Sequence, residues 1–348
     1  MNNLIIAGLT LIILAVLILP FSVKKVEEEL EIFLFLMGII AVSISKIWSG
    51  YLIIEAIKEP VPISVTVLIM GFIFKFTRKK IASLTKKLIK KFKPEFVVFT
   101  ITLSLGLFSS VITAIISSLI LSEIISIMKF KRNYEIKLTV MTCFAIGVGA
   151  ALTPIGEPLS TIVISKLKGE PHNANFFYLI KNLAEWIIPL IILFSLVATT
   201  GASKNLSDKE ESLEEEYIES DKTIIYRAVK VYIFVMALVF LGNGINTLTQ
   251  IFVTKLKPEI LYWINSISAI LDNATLAASE ITPALKDRQI TFIIMGLIIS
   301  GGFLIPGNIP NIICASKLNI KSKEWAKYGL LYGIPAMLIC FVFLYFLA

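Results

Sequence analysis

The chain has 348 residues, of which 56% are hydrophobic, with 33 Lys and Arg against 25 Asp and Glu for a net charge of +8. Its mean hydropathy of +0.84 is too high for a soluble core and, with several apolar runs long enough to cross a bilayer, makes it an integral membrane protein. The basic residues fall in short segments that flank apolar runs, so the positive-inside rule explains them and a nucleic-acid partner is not expected.

Cys143, Cys314 and Cys340 are scattered through apolar runs without CxxC spacing, and His172 is the single histidine. Neither disulfides nor a zinc site are expected from that pattern. Nor does the chain carry GxGD, HExxH or a Ser/His pairing, so an enzyme is not expected.

Leu4 to Val23 reads as a first span, without a basic n-region or a small-residue cleavage site, and therefore as a retained helix. Ile32 to Ser45 and Val61 to Phe76 read as the second and third. Lys75 to Lys93 interleaves nine basic residues with Ile81, Leu84, Leu88, Ile89 and Phe92. That pattern is an amphipathic helix on the cytoplasmic membrane surface. Glu95 to Met128 is apolar and would be about 50 Å long as one helix, against a hydrocarbon core of about 30 Å. Basic segments flank both of its ends, so it reads as a re-entrant hairpin turning near Phe108, Ser109 and Ser110, whose hydroxyls can serve broken backbone; a long tilted span is the alternative.

Thr139 to Lys166 then crosses outward with a break at Thr153–Pro158, where two prolines four apart forbid a continuous helix. Phe176 to Thr199 returns inward, and Ser203 to Asp221 is a Glu-rich connector. Val229 to Leu241, an opposing hairpin over Pro258 to Pro283, and Thr291 to Lys317 with a break at Pro306–Pro310 follow. Tyr328 to Ala348 exits, leaving both termini outside a cytoplasmic membrane.

Two segments resemble each other: GAALTPIGEPLSTIVISKL from Gly149 and GGFLIPGNIPNIICASKL from Gly301. Pro154 and Pro158 fall on Pro306 and Pro310, and Lys93-Pro94-Glu95 is echoed by Lys257-Pro258-Glu259. The expected fold is accordingly an all-α inverted repeat: extra N-terminal helices over 1–58, repeat 1 over 60–199, a cytoplasmic linker over 200–223 and repeat 2 over 224–348. An odd number of crossings separates the hairpins, so they enter from opposite faces, and proline breaks at matching positions of two halves point to the binding site of a secondary transporter.

Hard monovalent cations such as Na⁺ or Li⁺ take carboxylate, amide, hydroxyl and carbonyl oxygens. Asp272, Asn273 and Thr275 at one hairpin tip, Ser110 at the other, and Thr153, Glu157, Asn308 and Asn311 at the breaks supply these types. Asp272, Asn273 and Glu157 are the expected cation ligands, and the two carboxylates can exchange a proton for the cation. Simpler readings stand beside these. Asp272 could cap a half-helix, Glu157 could face a vestibule, and Asn308 and Asn311 could only satisfy open backbone. Glu123 and Glu280 read as membrane-surface residues, and Lys166 and Lys317 as snorkelling to the interface.

Gly149 to Thr161 resembles the Ser/Thr-Pro-x-Gly-acid motif of NhaD-type sodium/proton antiporters, and Ile270 to Ala278 their Asp-Asn hairpin motif. The likeness extends to the wider ion transporter superfamily, above all to a prokaryotic group of cation transporters without an assigned substrate. It implies a two-fold pseudosymmetric, often dimeric carrier in the lipid bilayer, with tips and breaks meeting at one midplane site and no cofactor beyond the transported ion. The first hairpin departs from it, having Ser109, Ser110 and Thr113 but no Asp-Asn pair. The expected function is exchange of a monovalent cation for protons. An anion, oxyanion or dicarboxylate carrier is the alternative; a structural membrane protein would leave the paired proline breaks unexplained.

Overall fold

The computed structural model describes residues 3–128, 130–206, 220–253, 256–271 and 273–347. These residues are helical throughout, with no strand among them beyond an isolated bridge between Phe130 and Leu206. Among the described residues six helical segments are long and apolar enough to cross a membrane: Leu4–Ser22, Gly50–Thr77, Pro94–Ile112, Tyr178–Thr199, Asp221–Ile245 and Ser322–Leu347. Leucine, isoleucine and phenylalanine side chains stand exposed along them, which in water would be an aggregation surface and in a bilayer is a lipid-facing one. The architecture is that of a multi-pass membrane protein.

In chain order the N-terminal helices are α1 (Asn3–Ser22), α2 (Lys24–Glu28), α3 (Leu30–Ser45) and α4 (Gly50–Lys58). They are followed by α5 (Pro60–Lys91), α6 (Pro94–Ile112), α7 (Ala114–Met128), α8 (Arg132–Ala150), α9 (Pro158–Lys166) and α10 (Tyr178–Thr199). After a short α11 (Ala202–Asn205), α12 (Asp221–Val253) opens the second half. There α13 (Pro258–Ile264) and a 3-10 turn (Asn265–Ala269) lead to α14 (Asn273–Glu280), α15 (Asp287–Ser300), a second 3-10 turn (Ile305–Gly307), α16 (Ile309–Leu318) and α17 (Ser322–Leu347).

The basic segment is not a separate surface helix. It prolongs the third span as the C-terminal part of α5, a single helix of 32 residues. Amphipathic spacing fixes which face is polar but not whether the preceding span stops, and no Gly or Pro stands between Phe76 and Phe92 to stop it. A second difference lies in the first apolar pair. Phe108, Ser109 and Ser110 are helical, and the chain breaks at Thr113, whose φ of +74° lies in a region β-branched residues seldom enter.

The core sits around α8 and α15. From Ile136 to Ala150 in α8, and from Ile290 to Ser300 in α15, every residue is buried, as expected of helices with neighbours on all sides. Contacts between elements pair the halves reciprocally. α6 packs on α8 as α13 packs on α15; α8 packs on α10 as α15 packs on α17; α5 packs on α7 as α12 packs on α14. Across the halves, α7 packs on α16 and α14 on α9. The N-terminal α3 lies along α12, where Glu31 is paired with Lys230 at 2.7 Å.

Candidate functional site

Each half breaks a helix where its sequence carries two prolines. α8 ends at Ala150, and the chain runs irregularly to Glu157 before α9 starts at Pro158. α15 ends at Ser300, and α16 starts at Ile309. Proline suits the first turn of the resuming helix, because the N–H it lacks would be unsatisfied there in any case. The freed polar groups find partners in the neighbouring tip. The Thr153 hydroxyl donates to the Ser110 carbonyl, and the Ala114 N–H to the Gly156 carbonyl at 2.9 Å. In the second half the Ser268 hydroxyl lies 2.6 Å from that of Ser300, which also donates to the Asn265 carbonyl at 2.8 Å.

Between these parts is a cavity of about 540 Å³. Its wall takes Thr113 and Ala114 from the α6–α7 junction, Asn273 and Ala274 from the start of α14, residues 154–159 from one break, and Asn308 and Ile309 from the other. Glu59, Thr66 and apolar residues of α5 and α12 complete it. Four helices, α7, α9, α14 and α16, therefore start at one cavity, presenting partially positive N-terminal ends. Glu59 and Glu157 are acidic members of the described lining, and no Lys or Arg is among them.

The side chains expected to form a site divide accordingly. Glu157, Asn273 and Asn308 come together in the cavity wall. Glu157 and Asn308 are the N-cap residues of α9 and α16, yet neither side chain caps its own helix. The Asn308 amide lies against α8, at the place where a Cβ on Gly147 would be 2.7 Å from its nitrogen. The Asn273 amide lies in the same way against Gly301. Asn273 is 3% exposed, and neither its Nδ2 nor its Oδ1 has a hydrogen-bond partner among the described residues. A buried amide in that state costs free energy unless a ligand or water completes it.

Thr153 and Ser110 stand just behind the wall, tied to each other and to backbone; the Ser110 hydroxyl donates to the Leu107 carbonyl at 2.8 Å. Asn311 is not in the wall. Its Nδ2 donates to the carbonyls of Gly301 at 2.8 Å and Leu304 at 2.9 Å, so it braces the second break. Asp272 lies outside the described residues, as does the side chain of Thr275. Among the described residues no group of three or more His, Cys, Asp or Glu could hold a metal ion.

Sequence reasoning missed the contribution of Glu59 and Thr113 to the wall. It also placed Glu123 and Glu280 at the membrane surface, whereas they are buried, at 2% and 3% exposure. Glu123 forms an ion pair with Lys317, which is itself enclosed and lies over the Phe74 ring. Snorkelling thus does not describe Lys317. The signal that could have found the pair is the repeat itself, since Ser-Glu and Ser-Lys-Leu recur in both halves.

No curated protein matches this sequence. A family profile covers residues 6–347, nearly the whole chain, and the protein therefore belongs to the family described as a protein of unknown function, DUF1646.

Proposed function

We propose that the protein is a secondary active transporter that exchanges a monovalent cation for protons across the cytoplasmic membrane, built as an inverted repeat. In this reading α6–α7 and α13–α14 are re-entrant hairpins, and the ion binds where their tips meet the two breaks. One observation carries it: a single cavity takes matching parts from both halves, with the Glu157 carboxylate and the Asn273 and Asn308 amides in a wall devoid of described basic side chains. Irregular backbone at membrane depth is tolerated where it lines such a cavity, and midplane sites between broken helices are how inverted-repeat carriers bind ions. Carboxylate, amide and carbonyl oxygens suit Na⁺ or Li⁺. Asp272, adjacent in sequence to Asn273, is the second proposed carboxylate.

An anion carrier is the second reading, favoured by the four helix N-termini at the cavity. The two readings separate in proteoliposomes holding a trapped pH dye. Adding Na⁺ or Li⁺ outside should raise the interior pH as protons leave, and Asp272→Asn or Glu157→Gln should abolish the signal. Apparent cation affinity should weaken as pH falls, because a carboxylate must be deprotonated to hold the cation. A pH response driven by anions and indifferent to cations would replace the first reading with the second; silence to both would refute each.

A further inference from the structure

The two cross-half contacts, α7 on α16 and α9 on α14, carry equivalent charged residues in different states. Glu123 on α7 and Lys317 on α16 form a buried ion pair. Their counterparts by the repeat are Glu280, which like Glu123 follows a serine, and Lys166, which like Lys317 stands in Ser-Lys-Leu. No ion pair joins these two. The Lys166 ammonium donates to the Ala278 carbonyl. Glu280 Oε2 accepts from Asn265 Nδ2 at 2.8 Å, and its Oε1 is buried without a partner.

The two contacts lie at opposite ends of the molecule. Arg132, at the start of α8, donates to the Leu318 and Asn319 carbonyls at the end of α16, at 2.9 Å and 2.7 Å. Asp287, at the start of α15, accepts from Tyr178 at 2.7 Å beside His172 in the α9–α10 connection. α5 gives the same order, since Glu59 at its start lines the cavity while Phe74, roughly 20 Å further along at 1.5 Å per residue, underlies Lys317.

The cavity is not equally open to both ends. Its exposed lining is Glu59, Pro62, Ile155, Pro158 and Thr161, with Ile155 51% exposed, all at the starts of α5 and α9. At the end of the Glu123–Lys317 pair lies a separate cavity of about 420 Å³, lined by Glu31, Lys230 and Lys317, which shares no lining residue with the first. The exposed lining of this cavity thus lies toward the end whose ion pair is not made.

We propose that Glu123–Lys317 and Glu280–Lys166 are two alternative latches, each closing the cavity toward one end of the molecule, and that they are made in turn as the site changes the face to which it opens. A buried carboxylate lacking its cation is costly, so the unmade latch stores a preference for closure at its own end. Since two discrete packings of equivalent elements share one cavity, breaking one latch shifts the population toward the state in which the other is made. The proposal rests on the carrier reading for its purpose, but its test measures access and needs no transported ion.

Ile155→Cys supplies a thiol in the cavity wall, and the parent, whose three cysteines are buried, supplies the background. In right-side-out and inside-out membrane vesicles bearing the full chain, a membrane-impermeant maleimide should label Ile155→Cys about tenfold faster from the face at which α5 begins. Adding Glu123→Gln with Lys317→Gln should speed labelling from the other face by about tenfold, a modest population shift for loss of a buried pair. The reversed pair, Glu123→Lys with Lys317→Glu, should restore the parent ratio. Cross-linking Lys166→Cys to Glu280→Cys should move access the same way as the first double variant does, by closing the opposite end. Equal labelling of the parent from both faces overturns the proposal, as does a monodisperse Glu123→Gln, Lys317→Gln protein with the parent ratio. Should that variant fail to fold, the cross-link decides, and an unchanged ratio after cross-linking overturns it. Loss of cation exchange with intact latch behaviour would count against the proposed function alone.

Discussion

Replacing Asn311 with alanine tests whether this residue braces the second break or contributes to the ion site. Its side chain is wholly buried, and its Nδ2 serves two carbonyls at the break, Gly301 at 2.8 Å and Leu304 at 2.9 Å. Alanine leaves the Gly301 carbonyl buried and unmet, at about 1–3 kcal/mol, and leaves Leu304 with only its 3.3 Å bond from the Gly307 N–H. The Asn311 Oδ1 has no partner, so its removal offsets little. Tryptophan fluorescence in detergent should show the unfolding midpoint of Asn311→Ala falling by several degrees, at about 2–4 °C per kcal/mol for a chain of a few hundred residues. Asn311→Asp, of the same shape but without the two donors, should fall at least as far. Asn308→Ala, in the cavity wall, should leave the midpoint much closer to the parent and weaken cation affinity instead. An Asn311→Ala midpoint within about 1 °C of the parent would refute the brace.

Gly149→Ala should fold poorly, because the added Cβ falls on the Gly106 carbonyl and within 2.9 Å of Ser109 Oγ; with backbone as the obstacle, the cost should reach the upper part of the roughly 1–3 kcal/mol seen for overpacking, read as lost monodisperse yield. Thr153→Val keeps the shape but removes the donor to the Ser110 carbonyl and the acceptor for the Ile155 N–H, and a loss of about 1–3 kcal/mol should register in thermal unfolding. Arg132→Ala frees the carbonyls that end α16 and an ion pair to Glu324; since the guanidinium is 41% exposed, a loss of only about 1 kcal/mol is expected, by the same assay.

Much of this was legible in the sequence because membrane chains write their constraints plainly. The length of an apolar run fixes a span, and two prolines within five residues fix a break, so α8, α9, α15 and α16 could be placed beforehand. The reason the turn after α6 was misplaced is local. Serines suggested it, whereas the break is a threonine at positive φ, a conformation with no sequence signature outside Gly and Asn. Glu123 and Glu280 were misread for a different reason: helical spacing tells which face of α7 or α14 a side chain shares, but not that α16 or α9 of the other half covers that face. Asn311 was ambiguous because an amide can serve an ion or a carbonyl equally well, and only the position of Gly301 and Leu304 decides between them. Glu157, Asn273 and Asn308 all line the one cavity.

The exchange of contacts between halves has a consequence for how such a chain assembles. The second piece of each broken helix finds its packing surface on the other half, α9 on α14 and α16 on α7, so neither half alone completes the packing of its own broken helix. Folding should then be cooperative across the whole chain, with the packing between the halves holding them together besides the covalent connector. A nick anywhere in the polar stretch 207–219 should therefore yield two fragments that reassemble when made together and are degraded when made apart.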